Sequence, residues 1–363
     1  MDTEKHRVST VVSLSAIACI LISCRARGQH SSLDISVDPR TTAMGESFVA
    51  VPAYVGAMTS NPAGLAGVQG ISLSYSRINE NEGEIQASGY QSFKGAAHTP
   101  FVDVGLLYTR HNYGAFRFTT AQYPDGPGQE FNPYEYTVSI GVAKKIGNFS
   151  VGAGVKRFDR SEMYFLSPTY ETTVTKPVLV DLGLQFTTSF SSNDDAPNQQ
   201  MSIGMCYQNI GEDIRTETID IFSQQTSSRF TTTIDLPQYL SIGLAYHFQT
   251  HAEVDNNLMP FHFTATGEYR KQTNASPGAG RDNWGFGVEG IVYEIVSVRI
   301  GAYGYREETY GRLGAGLCAP LEKLGVRLPM TVRFEYAAMP DDDPAYNGVH
   351  LFLVGLQYNQ EIF

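Results

Sequence analysis

The sequence predicts an all-β protein: a transmembrane antiparallel β-barrel of about 14 strands with an N-terminal plug, or hatch, in its lumen. Three observations predict it. Polarity alternates with a period of two from residue 69 onward, single alternating runs exceed ten residues, and charge is scarce. Charged residues make up 17% of the chain, against roughly 25% in soluble proteins. The 35 glycines and 12% aromatics are typical of a large sheet with one face in lipid and one in water.

The run 176–190 shows the alternation best. Val178, Val180 and Leu182 alternate with a second set that includes Asp181 and Gln185. This length matches a tilted membrane strand of roughly 9–11 residues better than a globular strand of about 5–6. A soluble two-layer β-sandwich would also alternate on its inner faces, but the long strands and the few charges disfavour it.

The same pattern predicts the individual strands. They cover 69–78, 101–109, 113–121, 134–146, 148–158, 177–189, 200–209, 237–248, 260–270, 283–293, 296–305, 311–319, 329–338 and 347–358. An even strand number, short periplasmic turns and long external loops are typical of bacterial outer-membrane barrels. A weaker run at 85–92 would put the short turns and the 210–236 loop on the wrong sides. Residues 79–100 are therefore predicted to form the first external loop.

The chain divides into three predicted parts. Residues 1–28 read as a signal peptide, with a basic start and a short apolar stretch from Val11 to Ile22. Cleavage after Gly28 is one interpretation, and lipidation of Cys24 in a lipoprotein-like Leu-Ile-Ser-Cys box is the other. Residues 29–68 form a periplasmic N-terminal segment and hatch, and 69–363 form the barrel. No later apolar run reaches the 18 residues of a membrane helix.

The hatch prediction depends on small residues and prolines between residues 41 and 67. Pro52 and Pro62 exclude a continuous strand because proline lacks a ladder donor. The sequence 61–64, Asn-Pro-Ala-Gly, is typical of a turn. A compact segment that buries small residues inside the barrel is the simplest interpretation, since a fourteen-stranded lumen needs filling.

Charged residues on the polar face are the candidate site of the barrel wall. By parity they point into the lumen, and they are Asp181, Glu268, Arg270, Glu289, Arg299, Arg333 and Glu335, with Lys156 and Arg312 beside them. One interpretation is a polar ladder of ion pairs that fills the lumen. The other is a polar path or a ligand-contacting surface.

Other functions find little support in the residues. The net charge of −11 argues against nucleic acid as a partner. Residues 285–290 match G-x-G-x-x-G, but they lie inside an alternating strand and not between a strand and a helix. No histidine and cysteine spacing indicates a metal site, and Cys206 and Cys318 are predicted to be free thiols. No catalytic constellation is visible, so neither an enzyme nor a cofactor is predicted.

Two N-terminal stretches carry a family resemblance. Residues 40–51, with Met44 and Gly45, precede the cluster 61–65, Asn-Pro-Ala-Gly-Leu. Together they resemble the N-terminal segment of the PorV/PorQ family, a branch of the FadL-like outer-membrane barrels. Weaker matches follow in order at 180–184, 209–211, 236–237, 287–289 and 299–301. The resemblance implies a fourteen-stranded barrel with a lumenal hatch whose motif residues are Met44, Gly45, Asn61, Pro62, Ala63 and Gly64.

The resemblance also implies a function. The leading prediction is a protein of the bacterial outer membrane that takes part in type IX secretion or in cell-surface attachment of cargo. Its partners would then be membrane lipid and secretion subunits or cargo, met by the external loops 159–176 and 210–236. The alternative is a FadL-like channel for long-chain fatty acids or other hydrophobic small molecules, with the hatch around Asn61 gating the path.

Overall fold

The computed structural model describes residues 33, 35–79, 88–117, 130–161, 170–190, 198–220, 229–254, 257–275, 280–339 and 349–359. The predicted signal peptide and both of its alternative processing sites lie outside these residues. Within the described ranges, no helix is long and apolar enough to cross a membrane.

Strands dominate this part of the chain. They are β1 Ile71–Asn79, β2 Gly89–Ala97, β3 Asp103–Asn112, β4 Phe116–Arg117, β5 Glu130–Phe131, β6 Tyr134–Ile146, β7 Phe149–Arg160, β8 Tyr170–Val174, β9 Val178–Ser189, β10 Asn198–Gly211, β11 Ile214–Asp220, β12 Arg229–Ile234, β13 Tyr239–Val254, β14 Asn257–Gln272, β15 Asn283–Val292, β16 Val296–Tyr305, β17 Glu308–Pro320, β18 Met330–Met339 and β19 Val349–Tyr358. Helix α1 spans Pro39–Ala43, and short 3-10 helices span Val55–Thr59, Pro62–Leu65 and Leu321–Leu324.

Fourteen of these strands close one antiparallel barrel. Their order is β1-β19-β18-β17-β16-β15-β14-β13-β10-β9-β7-β6-β3-β2. The first and last strands pair without a register break from Ile71↔Tyr358 to Asn79↔His350, so the barrel has no free edge. The predicted fourteen-stranded antiparallel barrel is confirmed. Two smaller sheets lie outside the barrel: β12-β11-β8, and the pair β4-β5.

One predicted strand and one predicted loop are wrong, and the two errors cancel in the count. The predicted loop 79–100 contains the barrel strand β2, which pairs with β1 and β3. In the predicted strand 113–121, the described part contributes only Phe116–Arg117, which pairs with β5 outside the barrel. β2 escapes a search for apolar alternation because its outward positions are Gly89, Gln91, Phe93, Gly95 and Ala97, of which Phe93 alone is a large apolar residue.

The outward faces of the barrel strands are apolar and exposed. Ile140 is 62% exposed and Phe286 is 52% exposed, and many other large apolar side chains share this orientation. The inward positions between them are mostly polar or small. A closed barrel leaves no backbone group unpaired in lipid, and an apolar exterior with a polar interior is typical of barrels in the Gram-negative outer membrane. The protein is an outer-membrane barrel, as predicted.

The two ends of the barrel differ in their connections. β1 begins and β19 ends at the same end, where residues 147–148 and 293–295 form tight turns. The longest connections, 113–133, 161–177 and 212–238, lie at the opposite end, which we call the loop end. Because outer-membrane barrels carry their long loops outside the cell, the loop end faces the exterior.

Candidate functional site

Residues 35–70, which we call the N-terminal segment, lie inside the barrel. Helix α1 contacts β16 to β19 on one wall, and the next two 3-10 helices contact β2, β3, β6, β7 and β9 across the lumen. Val37 packs with Ile78 and Tyr90 near the loop end, whereas Gly70 leads directly into the start of β1. The segment therefore runs through the lumen along its length and also reaches from wall to wall.

The predicted motif residues at 61–64 form a capped turn that bonds to the wall. The Oδ1 atom of Asn61 accepts the Ala63 backbone N–H at 3.0 Å, which caps the 3-10 helix that Pro62 begins. Its Nδ2 atom donates to the Val49 carbonyl at 2.7 Å and, less closely, to the Leu184 carbonyl of β9 at 3.3 Å. One fully buried amide thus joins two parts of the segment to the barrel.

The barrel wall meets the segment with glycines, which we call the glycine belt. Its members lie on nine strands and are Gly105, Gly141, Gly152, Gly183, Gly204, Gly243, Gly285, Gly287, Gly301 and Gly314. At each position an added Cβ atom would come closer than 3.0 Å to an atom of the segment. At Gly204 and Gly285 the obstacle is segment backbone, which cannot rotate away. The segment therefore packs against the wall without intervening side chains.

Met44 and Gly45 lie against this belt on β15 and β16. Met44 is fully buried and contacts Gly287, and Gly45 sits between Gly285 and Gly301. Gly45 has a φ of +67°, and a Cβ there would strike the Ala302 carbonyl. Only glycine meets both conditions, which explains the Met-Gly pair of the motif.

A buried charge cluster holds the beginning of α1. The Asp38 carboxylate accepts the Thr41 N–H as the helix cap at 3.0 Å, contacts Lys94 Nζ of β2 at 2.5 Å and accepts the Tyr54 hydroxyl. Burial by itself raises the pKa of Asp38, but the Lys94 ammonium and these hydrogen bonds outweigh it, so the pKa lies well below its usual range. Lys94 was not among the predicted lumenal charges, because β2 was assigned to a loop.

A second cluster joins Arg40 of α1 to three wall strands. Arg40 contacts Glu289 of β15 at 2.6 Å, Glu289 contacts Arg299 of β16 at 2.6 Å, and Arg299 pairs with Glu335 of β18. Three of the predicted wall residues therefore form one chain of alternating charges. Its continuation into the segment through Arg40 was not predicted.

The other predicted wall charges fall into separate places. Glu268 accepts the Val49 N–H at 2.9 Å and lies 3.5 Å from Arg270. Asp181 pairs with Lys156 at 2.7 Å, away from the segment's charges. Arg333 donates to Gln357 at 3.0 Å. The predicted wall charges thus form distinct clusters, two of which bind the segment directly.

A cavity of about 50 Å³ lies between the segment and the wall formed by β18, β19 and β1. Tyr54 and Val55 of the segment and Leu353 of β19 form its apolar side, and its charged residues are Asp38, Arg40, Arg333 and Glu335. The described residues contain no group of side chains that could hold a metal ion.

Comparisons with known proteins find similar barrels. No protein-family model and no curated protein sequence matches the chain. Among solved structures it is similar to the toluene transporter TbuX of Ralstonia pickettii, with 14% identity over 89% of this chain and 98% of that chain and a TM-score of 0.47. The toluene transporter TodX of Pseudomonas putida is 9% identical over 94% of this chain and 100% of that chain, with a TM-score of 0.45. A Pseudomonas aeruginosa FadL homologue is 13% identical over 89% of this chain and 98% of that chain, with a TM-score of 0.43.

At these identities and TM-scores the similarities assign neither a family nor a substrate to the chain. The barrel itself is established by its strand topology. Membership of the PorV/PorQ family and the role in type IX secretion are supported by none of these similarities, and both stay predictions.

Proposed function

We propose that the protein is an outer-membrane channel for hydrophobic small molecules, in which the N-terminal segment is the hatch that closes the lumen. The observation that carries the proposal is the fit between the segment and the glycine belt. A fourteen-stranded barrel would be open without filling, and here backbone meets backbone at positions such as Gly204 and Gly285. In this proposal the barrel lumen is the path for the solute, and the N-terminal segment closes it.

The contacts of the segment favour closure that can be released. Its first turn is held by ion pairs, Asp38 to Lys94 and Arg40 to Glu289, which break without any change in the barrel backbone. Asn61 and Pro62 begin the turn where the segment meets the opposite wall. In the proposed mechanism this turn is the hinge, and a solute passes when the first turn leaves its charged wall.

Apolar solutes are favoured by one side of the cavity beside the segment. Tyr54, Val55 and Leu353 form that side, and charged residues that include Arg40 and Glu335 form the other. The names of the similar proteins TbuX and TodX describe toluene transporters, and that of a third describes a FadL homologue. Together these observations support the channel over a secretion role.

Uptake by whole cells tests the proposal. A strain that lacks the protein should take up a labelled long-chain fatty acid or labelled toluene more slowly than the parent, and the wild-type gene should restore uptake. Unchanged uptake of both solutes would overturn the channel. Recovery of a sortase or secreted cargo domains with the purified protein, from a strain that secretes such cargo, would favour the secretion role instead.

Removal of residues 41–67 tests the hatch separately. The shortened protein should raise leakage of small polar solutes through the outer membrane, because nothing would then fill the lumen at the glycine belt. A leak equal to that of the full chain would refute the hatch while leaving the uptake result to decide the channel.

A further inference from the structure

Four cations gather on the outer surface of one barrel wall, close to the loop end. We call Arg77, Arg110, Arg157 and Lys176 the basic rim. Antiparallel register places Arg77 of β1 beside Gln91 and Gln91 beside Arg110 of β3. The two arginines are thus two strands apart, about 10 Å. The same register row continues through Tyr136 to Asp159 of β7, and Arg157 lies two residues from Asp159 on that strand.

Among the described residues, one carboxylate, that of Asp159, contacts the basic rim. Asp159 contacts Lys176 at 2.5 Å and accepts the Tyr136 hydroxyl at 2.7 Å. Arg77 and Arg157 are exposed, and neither has a hydrogen bond or ion pair to another residue in the part of the chain that the structure describes. The described part of this surface thus has four cations and one contacting carboxylate, on a chain whose formal charge is −11.

Aromatic side chains show the depth at which the basic rim lies. The rings of Tyr75 and Phe93 are 4.7 Å apart, Phe93 and Tyr108 are 6.2 Å apart, and Tyr108 and Tyr136 are 6.2 Å apart. This row crosses four adjacent strands on the outward face. Amphipathic aromatic rings at the two ends of a membrane barrel lie at the level of the lipid headgroups.

Apolar residues continue from the aromatic row toward the other end of the barrel. Leu73, Leu106 and Ile140 follow on the same outward faces, and all three are well exposed. The basic rim therefore lies on the headgroup side of the hydrocarbon band, at the end that faces the exterior. Guanidinium groups at this depth meet the headgroups of the outer leaflet.

We propose that the basic rim binds the phosphate groups of a phosphorylated glycolipid in the outer leaflet. Arginine binds phosphate through two parallel N–H donors, which suits Arg77 and Arg157 because their donors are not engaged elsewhere in the described chain. Arg110 is held over the Tyr134 ring at 5.0 Å and donates to Asn112 at 2.9 Å, so its guanidinium is pre-positioned between them. The inference is independent of the proposed channel.

The described residues of the opposite wall show no such surplus at the same end. There the loop-end residues are mixed in sign: Lys271 stands near Asp282, and Arg306 is followed by Glu307 and Glu308. An anionic headgroup would meet carboxylates on that side. Charge complementarity therefore restricts the glycolipid to the wall formed by β1, β2, β3, β6 and β7.

Native mass spectrometry of the purified full chain, titrated with diphosphoryl lipid A, tests the proposal. The variant R77Q/R110Q/R157Q should bind roughly 100-fold more weakly, since each cation near a charged membrane surface changes binding about fivefold. The matched control K144Q/K145Q/R327Q removes three exposed cations at the other end of the barrel and should bind like the wild type. Heat-modifiable gel mobility verifies that both variants are folded barrels.

Four outcomes would overturn the proposal. They are wild-type affinity in the rim variant, equal loss in the control variant, equal binding of phosphatidylglycerol, and capture of an acidic protein in place of lipid. Addition of inorganic phosphate distinguishes a headgroup site from a free-phosphate site, because millimolar phosphate should not displace the glycolipid. If the triple variant does not fold, R77Q and R157Q singly should each weaken binding about fivefold, and no change in either would also overturn it.

Discussion

The two halves of the N-terminal segment are held in the lumen by different forces. Residues 38–40, the charged half, bond to Lys94 and Glu289 through buried ion pairs. Residues 43–65, the packed half, lie against the glycine belt and make few charged contacts. The charged half depends on specific partners that can be exchanged one at a time. The packed half depends on the absence of side chains at the wall glycines, so an atom added to any of them would push the segment away from the wall.

The difference bears on how a hatch could open. A buried ion pair is expensive to break singly but adds little net stability compared with an apolar pair, because both charges lose water on burial. We therefore expect the charged half to behave as a latch with two well-defined states. The packed half gains stability from close contact and loses it gradually as the contact loosens. The four predictions below test this contrast.

Lys94→Met is expected to destabilise the attachment of the N-terminal segment more than any of the other variants. It leaves the Asp38 carboxylate buried without its cation, which costs about 3–5 kcal/mol. Hydrogen exchange of residues 37–45 should accelerate strongly while the barrel strands stay protected. Lys271→Met, at an exposed position, is the matched control and should change little.

The double variant D38N/K94M sharpens the interpretation. It removes both charges, so it should exchange more slowly than Lys94→Met alone. If the double variant were as fast as the single one, charge imbalance would not be the cause, and the latch description of the charged half would fail.

A smaller effect is expected for Gly204→Ala in the packed half. The new methyl group meets the Val49 carbonyl and forces the segment away from β10. Overpacking of this kind costs about 1–3 kcal/mol. Single-channel conductance in planar bilayers should show a raised leak. Gly267→Ala is the control because a Cβ there has its nearest neighbour at 4.0 Å. An equally large leak in that variant would contradict the packing role of the glycine belt.

Asn61→Ala should destabilise the packed segment by an amount near the lower end of the range given for Gly204→Ala. It removes a helix cap, which contributes about 0.5–2 kcal/mol, and the bonds to Val49 and Leu184. Limited proteolysis should then cleave between residues 54 and 66 sooner than in the wild type. If Asn61→Ala were cleaved faster than Lys94→Met, the packed half would contribute more to holding the segment than the charged half, contrary to the prediction.

The smallest effect is expected for Ser76→Ala. Its hydroxyl donates to the Val37 carbonyl at the start of the charged half. A net hydrogen bond of this type contributes about 0.5–1.5 kcal/mol. Exchange of residues 35–38 should rise only slightly, and a change as large as that of Lys94→Met would show that the ion pair is not the main attachment.

The strands illustrate what can be predicted from residues near one another in the chain. The run 176–190 alternates so regularly that its strand, its length and the inward direction of Asp181 all follow from it, and β9 spans Val178–Ser189. β2 was missed for the same reason. Its outward face carries one large apolar residue, Phe93, between Gln91 and Gly95, and apolar alternation cannot detect a strand of that kind.

The glycines show the same limit at the site. Gly285 and Gly287 were assigned correctly to a strand, but their role depends on the backbone of residues 44 and 45, some 240 positions away in the chain. A signal was present, since glycines recur at inward parity on one strand after another. It becomes interpretable only when the occupant of the lumen is known.

The sequence by itself determined the barrel, its membrane, thirteen of its fourteen strands and the inward face of the wall charges on those strands. These properties follow from the period of two and from composition, which are local. Only the tertiary structure decided the partners: Lys94 for Asp38, Arg40 for Glu289, and bare glycines for the packed half of the segment. Those pairings arise from closure of the barrel around the segment, and no local pattern encodes which distant residues closure brings together.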